Sequence, residues 1–200
     1  MHKLAVLNFF GGNKNMKVIF LDFDGVLNCE QTFLDYIYKK ENNLPLSIFY
    51  QIQDKGKNGL FLPIDEEKVQ ILGEIVKLTG AKIVLTSSHR ADWKDGKENI
   101  QFSKSKALLY LFEKYNIEVI GITPYISHRL IGPREDEIKA YLSQHNEIES
   151  FCVIDDDDFD LKTLKEFLVK TTMNKNEFDE GGLQKRHIDE AVKILCKKKI

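Results

Sequence analysis

Three apolar runs of strand length in this sequence each end in side chains that could do chemistry. The first is "VIFLDFDGVL", residues 18–27, in which two aspartates stand one residue apart after the apolar positions. The second run ends in "TSSHR" and the third in "DDDDFD". In an open parallel sheet, ligands bind outside the carboxyl ends of the strands, so we expect these three ends to meet at one site. The side chains that would meet there are Asp22, Asp24, Thr86, Ser87, Asp155 and Asp156.

This set combines carboxylates with hydroxyls, and the carboxylates would repel one another. A pair of like charges about 4 Å apart costs about 4 kcal/mol at an effective dielectric constant of about 20. A bound cation must offset that repulsion. Because the predicted ligands are hard oxygen atoms, Mg²⁺ is favoured, and it typically binds one or two carboxylates together with a substrate phosphate. The residues therefore predict a phosphorylated substrate, phosphoryl chemistry and Mg²⁺ as the cofactor.

The elements that must position these residues follow an alternating pattern. Apolar runs of strand length alternate with amphipathic stretches, which predicts an α/β fold with a mainly parallel sheet and helices on both faces. The predicted strands are 17–23, 82–86, 118–121, 150–154 and 167–171. The predicted helices are 65–78, 104–115, 134–145, 160–166 and 184–197.

One segment interrupts this alternation. Residues 29–63 separate the first strand from the next predicted helix, where connections usually take about two to six residues. We interpret the segment as a small cap-like insertion, and its aromatic residues predict that it packs on the domain. It would be either a helical decoration or a lid over the strand ends. Residues 1–15 are an extension of uncertain origin, which leaves 16–200 as one domain.

Composition limits the class of protein. The chain has 200 residues, 42% of them hydrophobic, which is enough for one well-buried core. The net charge of -2 gives no general attraction to nucleic acid or to an anionic membrane, so nucleic acid is an allowed but not a required partner. The three cysteines form no Cys-x-x-Cys pair, and no run reaches the roughly 18 apolar residues of a membrane span. We therefore expect a cytoplasmic protein with no membrane partner.

Several motifs, in order along the chain, resemble those of the haloacid dehalogenase superfamily. They are "DFDGVLN", a hydroxyl residue after the next strand, a basic residue that opens a later helix and "DD" after another strand. More narrowly, "LTSSHR", "REDEIKAYL", "VIDDDDFD" and "GGLQKRHIDEAVKIL" resemble the small phosphatase-like domains of that superfamily in RNA-repair proteins. The resemblance covers residues 16–200. It implies a three-layer, Rossmann-like core and a Mg²⁺-dependent phosphatase that forms an aspartyl-phosphate.

The resemblance also implies roles for the strand-end residues. Asp22 would be the nucleophile that attacks phosphorus, while Asp24 would protonate the leaving oxygen and later deprotonate the attacking water. A backbone carbonyl of Asp24 would join the Asp22 carboxylate in the metal shell. Thr86 would hydrogen-bond a phosphoryl oxygen, with Ser87 assisting, and Gly25 would permit the sharp turn after the aspartates.

A cation that holds the phosphate is implied as well. We assign this role to Arg134 at the start of a predicted helix, because an arginine can bind phosphate through two parallel hydrogen bonds. Arg129 and Lys139 are the next candidates. Arg90 is a further candidate for contact with the substrate.

The aspartate run supplies the remaining metal ligands. We expect either Asp155 or Asp156 to bind Mg²⁺ directly, while the other, together with Asp160, orients ligands or waters around it. Asp157 and Asp158 are interpreted as solvated charges that complement a helix dipole.

Alternatives to a phosphatase of unknown substrate remain open. A non-catalytic phosphate-sensing module of the receiver type also uses strand-end aspartates, Mg²⁺ and a threonine or serine. Receivers carry a lone phosphorylated aspartate on a middle strand, whereas Asp-x-Asp follows the first strand here, and that difference favours the enzyme. Within the enzyme class, the substrate could be a nucleic-acid end or a protein phosphotyrosine.

Overall fold

The fold is known from a computed structural model that describes residues 16–46, 64–88, 90, 103–126, 133–176 and 179–197. Within these residues the chain forms one five-stranded sheet in which all strand pairs are parallel. The strands are β1 (Met16–Leu21), β2 (Lys82–Leu85), β3 (Val119–Ile122), β4 (Ile148–Asp155) and β5 (Leu168–Lys170). Each coincides with a predicted strand to within two residues at either end.

The order of the strands across the sheet is β3-β2-β1-β4-β5. The chain therefore builds outward from β1 in one direction and then returns to the other side of β1 to add β4 and β5. Such a reversal creates a crevice at the carboxyl ends of the two strands that flank it, here β1 and β4. The fold thus brings the ends of the first and fourth strands side by side.

Helices cover both faces of this sheet. They are α1 (Glu30–Glu41), α2 (Glu66–Thr79), α3 (Ser103–Lys114), α4 (Arg134–Gln144) and α5 (Arg186–Leu195). The sequence signals at the ends of α2 account for its bounds. The Asp65 side chain accepts a hydrogen bond from the Glu67 backbone N–H, and Gly80 ends the helix with a φ of 70°.

Alternate residues of the central strand enter two separate hydrophobic clusters. Ile19 and Leu21 of β1 pack in the larger cluster with residues of α2, α3 and α5. Val18 and Phe20 face the other way and pack in the second cluster with Ile138 of α4. Because all four β1 side chains are fully buried, the sheet is the middle of three layers, as the Rossmann-like expectation requires.

The prediction of a helix over 160–166 is wrong. The segment from Phe159 to Leu164 is a series of turns, and a short 3₁₀ helix follows at Lys165–Phe167. Aspartate side chains cause the turns at its start, since Asp157 accepts a hydrogen bond from the Phe159 backbone N–H. A segment this short also gains too few backbone hydrogen bonds to offset the cost of helix nucleation.

The described part of the insertion, residues 29–46, contains α1. Of its aromatic side chains, Tyr36 packs against the larger hydrophobic cluster, but Phe33 and Tyr38 are exposed, so the expected packing does not extend to these two. Predictions for 1–15 and for 47–63 lie outside the described residues. Within those residues no helix has both the length and the apolar character needed to cross a membrane.

Candidate active site

Backbone hydrogen bonds continue past the strand ends and align the predicted site residues. The Asp22 N–H donates to the Ile154 carbonyl at 3.1 Å, which ties the residue after β1 to β4. On the other side, the Thr86 N–H donates to the Leu21 carbonyl at 2.9 Å. The first residues beyond β1 and β2 are therefore held in register next to the end of β4, so their side chains share one edge of the sheet.

Three carboxylates meet at this edge. Asp22, Asp155 and Asp156 each present an oxygen within 4.8 Å of the other two. Asp22 and Asp155 are buried, whereas Asp156 is half-buried. Among the residues that the structure describes, this is the one acidic group of three with a geometry suited to a metal ion. It contains Asp22 together with Asp155 and Asp156, the two aspartates of which one was expected to bind the metal directly.

Arg134, the first residue of α4, reaches into the same cluster. Its Nη1 lies 2.6 Å from Asp155 Oδ2 and 3.4 Å from Asp22 Oδ2. The same nitrogen lies 3.4 Å from the hydroxyl oxygen of Thr86. Burial would lower the pKa of the guanidinium, but the carboxylates of Asp22 and Asp155 outweigh that effect and raise it. Arg134 is thus a fixed positive charge beside the predicted nucleophile.

Burial, together with neighbouring negative charge, raises the pKa of two of the carboxyl groups. Burial raises the pKa of Asp155 to about 7, against the lowering effect of Arg134, and the Asp22 charge raises it further. Burial and the Asp22 charge likewise raise the pKa of Asp156 to about 6, although Lys170 opposes them. A cation bound next to these buried carboxyl groups would stabilise their ionised forms.

The second aspartate of the first motif is held by a residue that the sequence analysis did not assign. Asn28 is fully buried, and its Nδ2 donates to Asp24 Oδ1 at 2.9 Å. Its Oδ1 accepts a hydrogen bond from the Gly25 N–H at 3.0 Å. One amide therefore fixes both the turn and one oxygen of the Asp24 carboxylate. A polar residue in an otherwise apolar "VLN" run was the available signal.

The turn after the aspartates requires a glycine. Gly25 has a φ of +72°, and a Cβ placed on it would lie 2.2 Å from Asp156 Cγ. The Asp156 side chain therefore occupies the space above the glycine, and the expectation that Gly25 permits the turn fits this backbone. The Thr171 hydroxyl donates to the Gly25 carbonyl at 2.7 Å and ties the turn to the residue after β5.

Lysines at the edge of the aspartate run were also missed. Lys170 Nζ donates to the Asp156 carbonyl at 2.6 Å and pairs with Asp158, which Lys165 contacts as well. Asp157 is exposed. The two lysines therefore neutralise the charge of Asp158. The hydrogen bond from Lys170 to the backbone also holds Asp156 in place.

The remaining predicted residues lie around this centre. Ser87 is buried, and Asp160 is half-buried in the turn that follows the aspartate run. Lys139 pairs with Glu135 on its own helix, at 2.6 Å. Arg129 lies outside the described residues.

The side chain of Arg90 is buried inside the protein. Its expected contact with a substrate stays a prediction, and the contacts of its guanidinium do not support it. Its side chain is 4% exposed and forms an ion pair with Glu137 at 2.7 Å. The guanidinium also stacks on the ring of Tyr125, at 3.9 Å from the ring centre. The guanidinium is therefore engaged by side chains of the protein itself.

The fold and the site together define the class of protein. A Rossmann-like sheet with Asp-x-Asp after its central strand, a hydroxyl after the neighbouring strand, and an arginine beside paired aspartates is the arrangement of a haloacid dehalogenase domain. Residues 18–178 match the family model described as the HAD domain in Swiss Army Knife RNA repair proteins, and the chain belongs to that family. Neither the curated proteins nor the solved structures give a significant match to it.

Proposed function

We propose that this protein is a Mg²⁺-dependent phosphomonoester hydrolase that forms an aspartyl-phosphate on Asp22. One observation carries the proposal. A single guanidinium, that of Arg134, lies between Asp22 and Asp155 and within reach of the Thr86 hydroxyl. This arrangement supports the proposal because it gathers two carboxylates, a hydroxyl and a guanidinium around one point, and these are the groups that a nucleophile, a metal ligand and two phosphoryl-oxygen donors would need.

The residues present fit Mg²⁺. Asp22, Asp155 and Asp156 offer hard oxygen atoms within 4.8 Å of one another, and burial, together with the Asp22 charge, raises the pKa of Asp155 and of Asp156. Bound there, Mg²⁺ would screen the nucleophile from the phosphate and stabilise charge on the transferring phosphoryl group.

In the first step, one Asp22 oxygen attacks phosphorus, and the bond from phosphorus to the ester oxygen breaks. The leaving oxygen takes a proton from the carboxylic acid of Asp24. The Asn28 Nδ2 donates to Asp24 Oδ1 and so orients the Asp24 carboxyl group. A carboxylate nucleophile suits this reaction because it divides one difficult displacement into two easier ones.

In the second step, water attacks the phosphorus of the aspartyl-phosphate. Asp24, now ionised, accepts a proton from that water, and the Asp22 carboxylate is released together with inorganic phosphate. The same group thus acts as acid and then as base, and the cycle restores both aspartates. Thr86 and Arg134 hold the phosphoryl oxygens throughout, with Ser87 as an assisting donor.

Steady-state hydrolysis of p-nitrophenyl phosphate tests the proposal. We expect turnover that requires Mg²⁺, is lost with EDTA and falls by at least about a thousandfold in Asp22→Asn. Asp136→Asn is the matched control, since it neutralises an exposed carboxylate in the first turn of α4. Full activity in a folded Asp22→Asn protein would overturn the assigned nucleophile.

The description of the family favours one substrate class. It names RNA repair proteins, so a terminal phosphate of RNA is our first candidate for the natural substrate. The net charge of -2 allows this because an end needs only a small basic site, which Arg134 begins to form. Oligoribonucleotides with a terminal phosphate should be hydrolysed in preference to a phosphotyrosine peptide, and binding should weaken as salt rises. Preference for the peptide would favour the tyrosine phosphatase alternative.

The order of the strands counts against the receiver-like alternative. Receiver domains have the flavodoxin-like order 2-1-3-4-5, whereas this sheet has the order β3-β2-β1-β4-β5. The proposed nucleophile also follows β1 directly. A stable acyl-phosphate with no turnover is the result that would restore that alternative.

A further inference from the structure

A buried arginine joins three segments at the active-site edge of the sheet. The Nη1 of Arg90 donates to the carbonyls of Thr86 at 2.8 Å and of Ser87 at 3.0 Å. Its Nε donates to the Thr123 carbonyl at 3.0 Å, just beyond β3. Its Nη2 forms the ion pair with Glu137 of α4 at 2.7 Å. One side chain therefore connects the ends of two strands to a helix.

Glu137 connects this arginine to the catalytic residues. It lies three residues after Arg134, so both side chains project from the same face of α4, one turn apart. Arg134 extends to Asp155 and Thr86, while Glu137 extends to Arg90. Two contacts thus hold α4 against the end of β2: one runs from Arg134 to Thr86, and the other runs from Glu137 through Arg90.

Thr86 is held by the same pair of arginines. Its carbonyl accepts from Arg90, and its hydroxyl lies 3.4 Å from Arg134 Nη1. Arg90 thus contacts the backbone, and Arg134 the side chain, of the one residue proposed to bind a phosphoryl oxygen. A displacement of α4 or of Arg90 would therefore change the distance between the Thr86 hydroxyl and the Arg134 guanidinium.

We propose that the Arg90–Glu137 pair is a positioning device that sets the separation of the two phosphate-holding groups, Thr86 and Arg134, without touching the substrate. This inference rests on the proposed function. Arginine has five N–H donors, and acceptors within the protein lie next to all three of its nitrogens, including a long contact of 3.5 Å to the Pro124 carbonyl. Both side chains of the pair are almost completely buried, and the N–H donors of Arg90 have acceptors among the described residues.

Two conservative variants test the pair. Arg90→Lys keeps the charge but loses the planar set of donors, whereas Glu137→Gln keeps the shape but loses the charge. A misplacement of about 1 Å can cost about a hundredfold in rate. We expect each variant to lower kcat for p-nitrophenyl phosphate by at least about tenfold, and both to do so to a similar extent. The double variant should show no further loss beyond Arg90→Lys, because the Glu137 change removes an interaction that the arginine change has already broken.

A control separates positioning from stability. Leu72→Ala removes a fully buried side chain of α2 from the larger hydrophobic cluster, so it should lower the melting temperature while kcat below that temperature stays at the wild-type value. If Arg90→Lys and Glu137→Gln are folded and keep kcat within about twofold of wild type, the inference is wrong. A defect confined to KM and to Arg90→Lys would assign Arg90 to the substrate and would overturn it as well.

Binding of inorganic phosphate separates this inference from the proposed function. If the wild-type protein does not turn over phosphate esters, calorimetry with Mg²⁺ and inorganic phosphate still reports on the two phosphate-holding groups. Weaker binding by at least about tenfold in both variants would support the positioning role while hydrolysis is abandoned. Equal binding by wild type and variants would refute the positioning role.

Discussion

At Gly25 the backbone conformation and the position of the Asp156 carboxylate depend on the same missing Cβ. The residue has a φ of +72°, and the Asp156 carboxylate occupies the position that a side chain would take. A larger residue would strain the turn and would also displace Asp156 from the three-carboxylate cluster. The glycine therefore leaves the space that Asp156 needs in the three-carboxylate cluster.

Gly25→Ala should weaken Mg²⁺ binding by at least about tenfold, since loss of a properly placed ligand or its support has effects of about 10-fold to 100-fold. Gly80→Ala is a matched control. Gly80 has a nearly identical φ of 70°, but an added Cβ there would meet nothing within 4 Å. Calorimetric titration with Mg²⁺ measures both, and equal affinities for the two variants would show that Asp156 does not need the space above Gly25.

Residue positions at strand ends could be read from the sequence, but the contacts that hold them could not. Asp22, Thr86 and Asp155 stand where apolar runs stop, and periodicity locates those points. Asn28 and Glu137 act through partners four and 47 positions away in the chain, at Asp24 and Arg90, and nothing in their local sequence indicates these partners. Sequence reasoning therefore found the side chains that meet at the strand ends and missed the residues that hydrogen-bond to them.

At the scale of elements, the strands were predicted well because buried parallel strands form nearly continuous apolar runs. Helix 160–166 was predicted wrongly because an acidic start resembles a helix N-terminus. In the structure, Asp155 and Asp157 accept hydrogen bonds from backbone N–H groups two residues later and form turns. Because of these turns the aspartate run folds over the end of β4, and the carboxylates of Asp155 and Asp156 lie in the cluster with Asp22.

The start of α5 depends on a buried, neutral histidine. His187 is 2% exposed, and its Nδ1 accepts a hydrogen bond from the Gln184 N–H at 2.9 Å. Burial, together with the charge of Arg186, lowers the pKa of His187 to about 4. In the unfolded chain the histidine has its ordinary pKa of 6.5, so between pH 6.5 and about 4 the unfolded chain binds a proton at His187 more strongly than the folded protein does. The free energy of unfolding therefore falls as pH drops through that range. The loss is at most about 3 kcal/mol.

A proton NMR titration of the histidine ring tests this expectation. His187 should titrate near pH 4, and unfolding by urea should become easier as pH falls from about 6.5 to 4. His187→Asn keeps an acceptor near the Gln184 N–H and removes the titrating ring, so its urea midpoint should depend less on pH. An apparent pKa near 6.5 for His187 would contradict the account of this helix start.

At the scale of the whole molecule, strand order governs which carboxyl groups meet and so how stability depends on pH. The order places β1 between β2 and β4, which gathers carboxylates from two strands at one edge. No property of the separate strands specifies that order. Without metal, the raised pKa values of Asp155 and Asp156 mean that their contribution to stability is present below about pH 4 and is lost as pH rises through about 6 and 7.

Mg²⁺ should therefore stabilise the protein more at pH 8 than at pH 5.5. At pH 8 the carboxylates are ionised and ready to bind, whereas at pH 5.5 protons compete with the metal. A free concentration of about 100 times Kd adds about 2.7 kcal/mol to the free energy of unfolding. Melting temperatures with and without Mg²⁺ at the two pH values measure the effect. An equal increase at both would show that these carboxyl groups are not the ligands.

The most direct test of the central claim is to trap the phosphoryl group on Asp22. In Asp24→Asn with Mg²⁺, p-nitrophenolate is a good enough leaving group to depart without an acid, but the second step lacks its base. We predict a burst of about one equivalent of p-nitrophenolate, followed by slow turnover, and a protein whose mass increases by one phosphoryl group located on Asp22. Absence of the burst, or a phosphoryl group on a different residue, would contradict the mechanism.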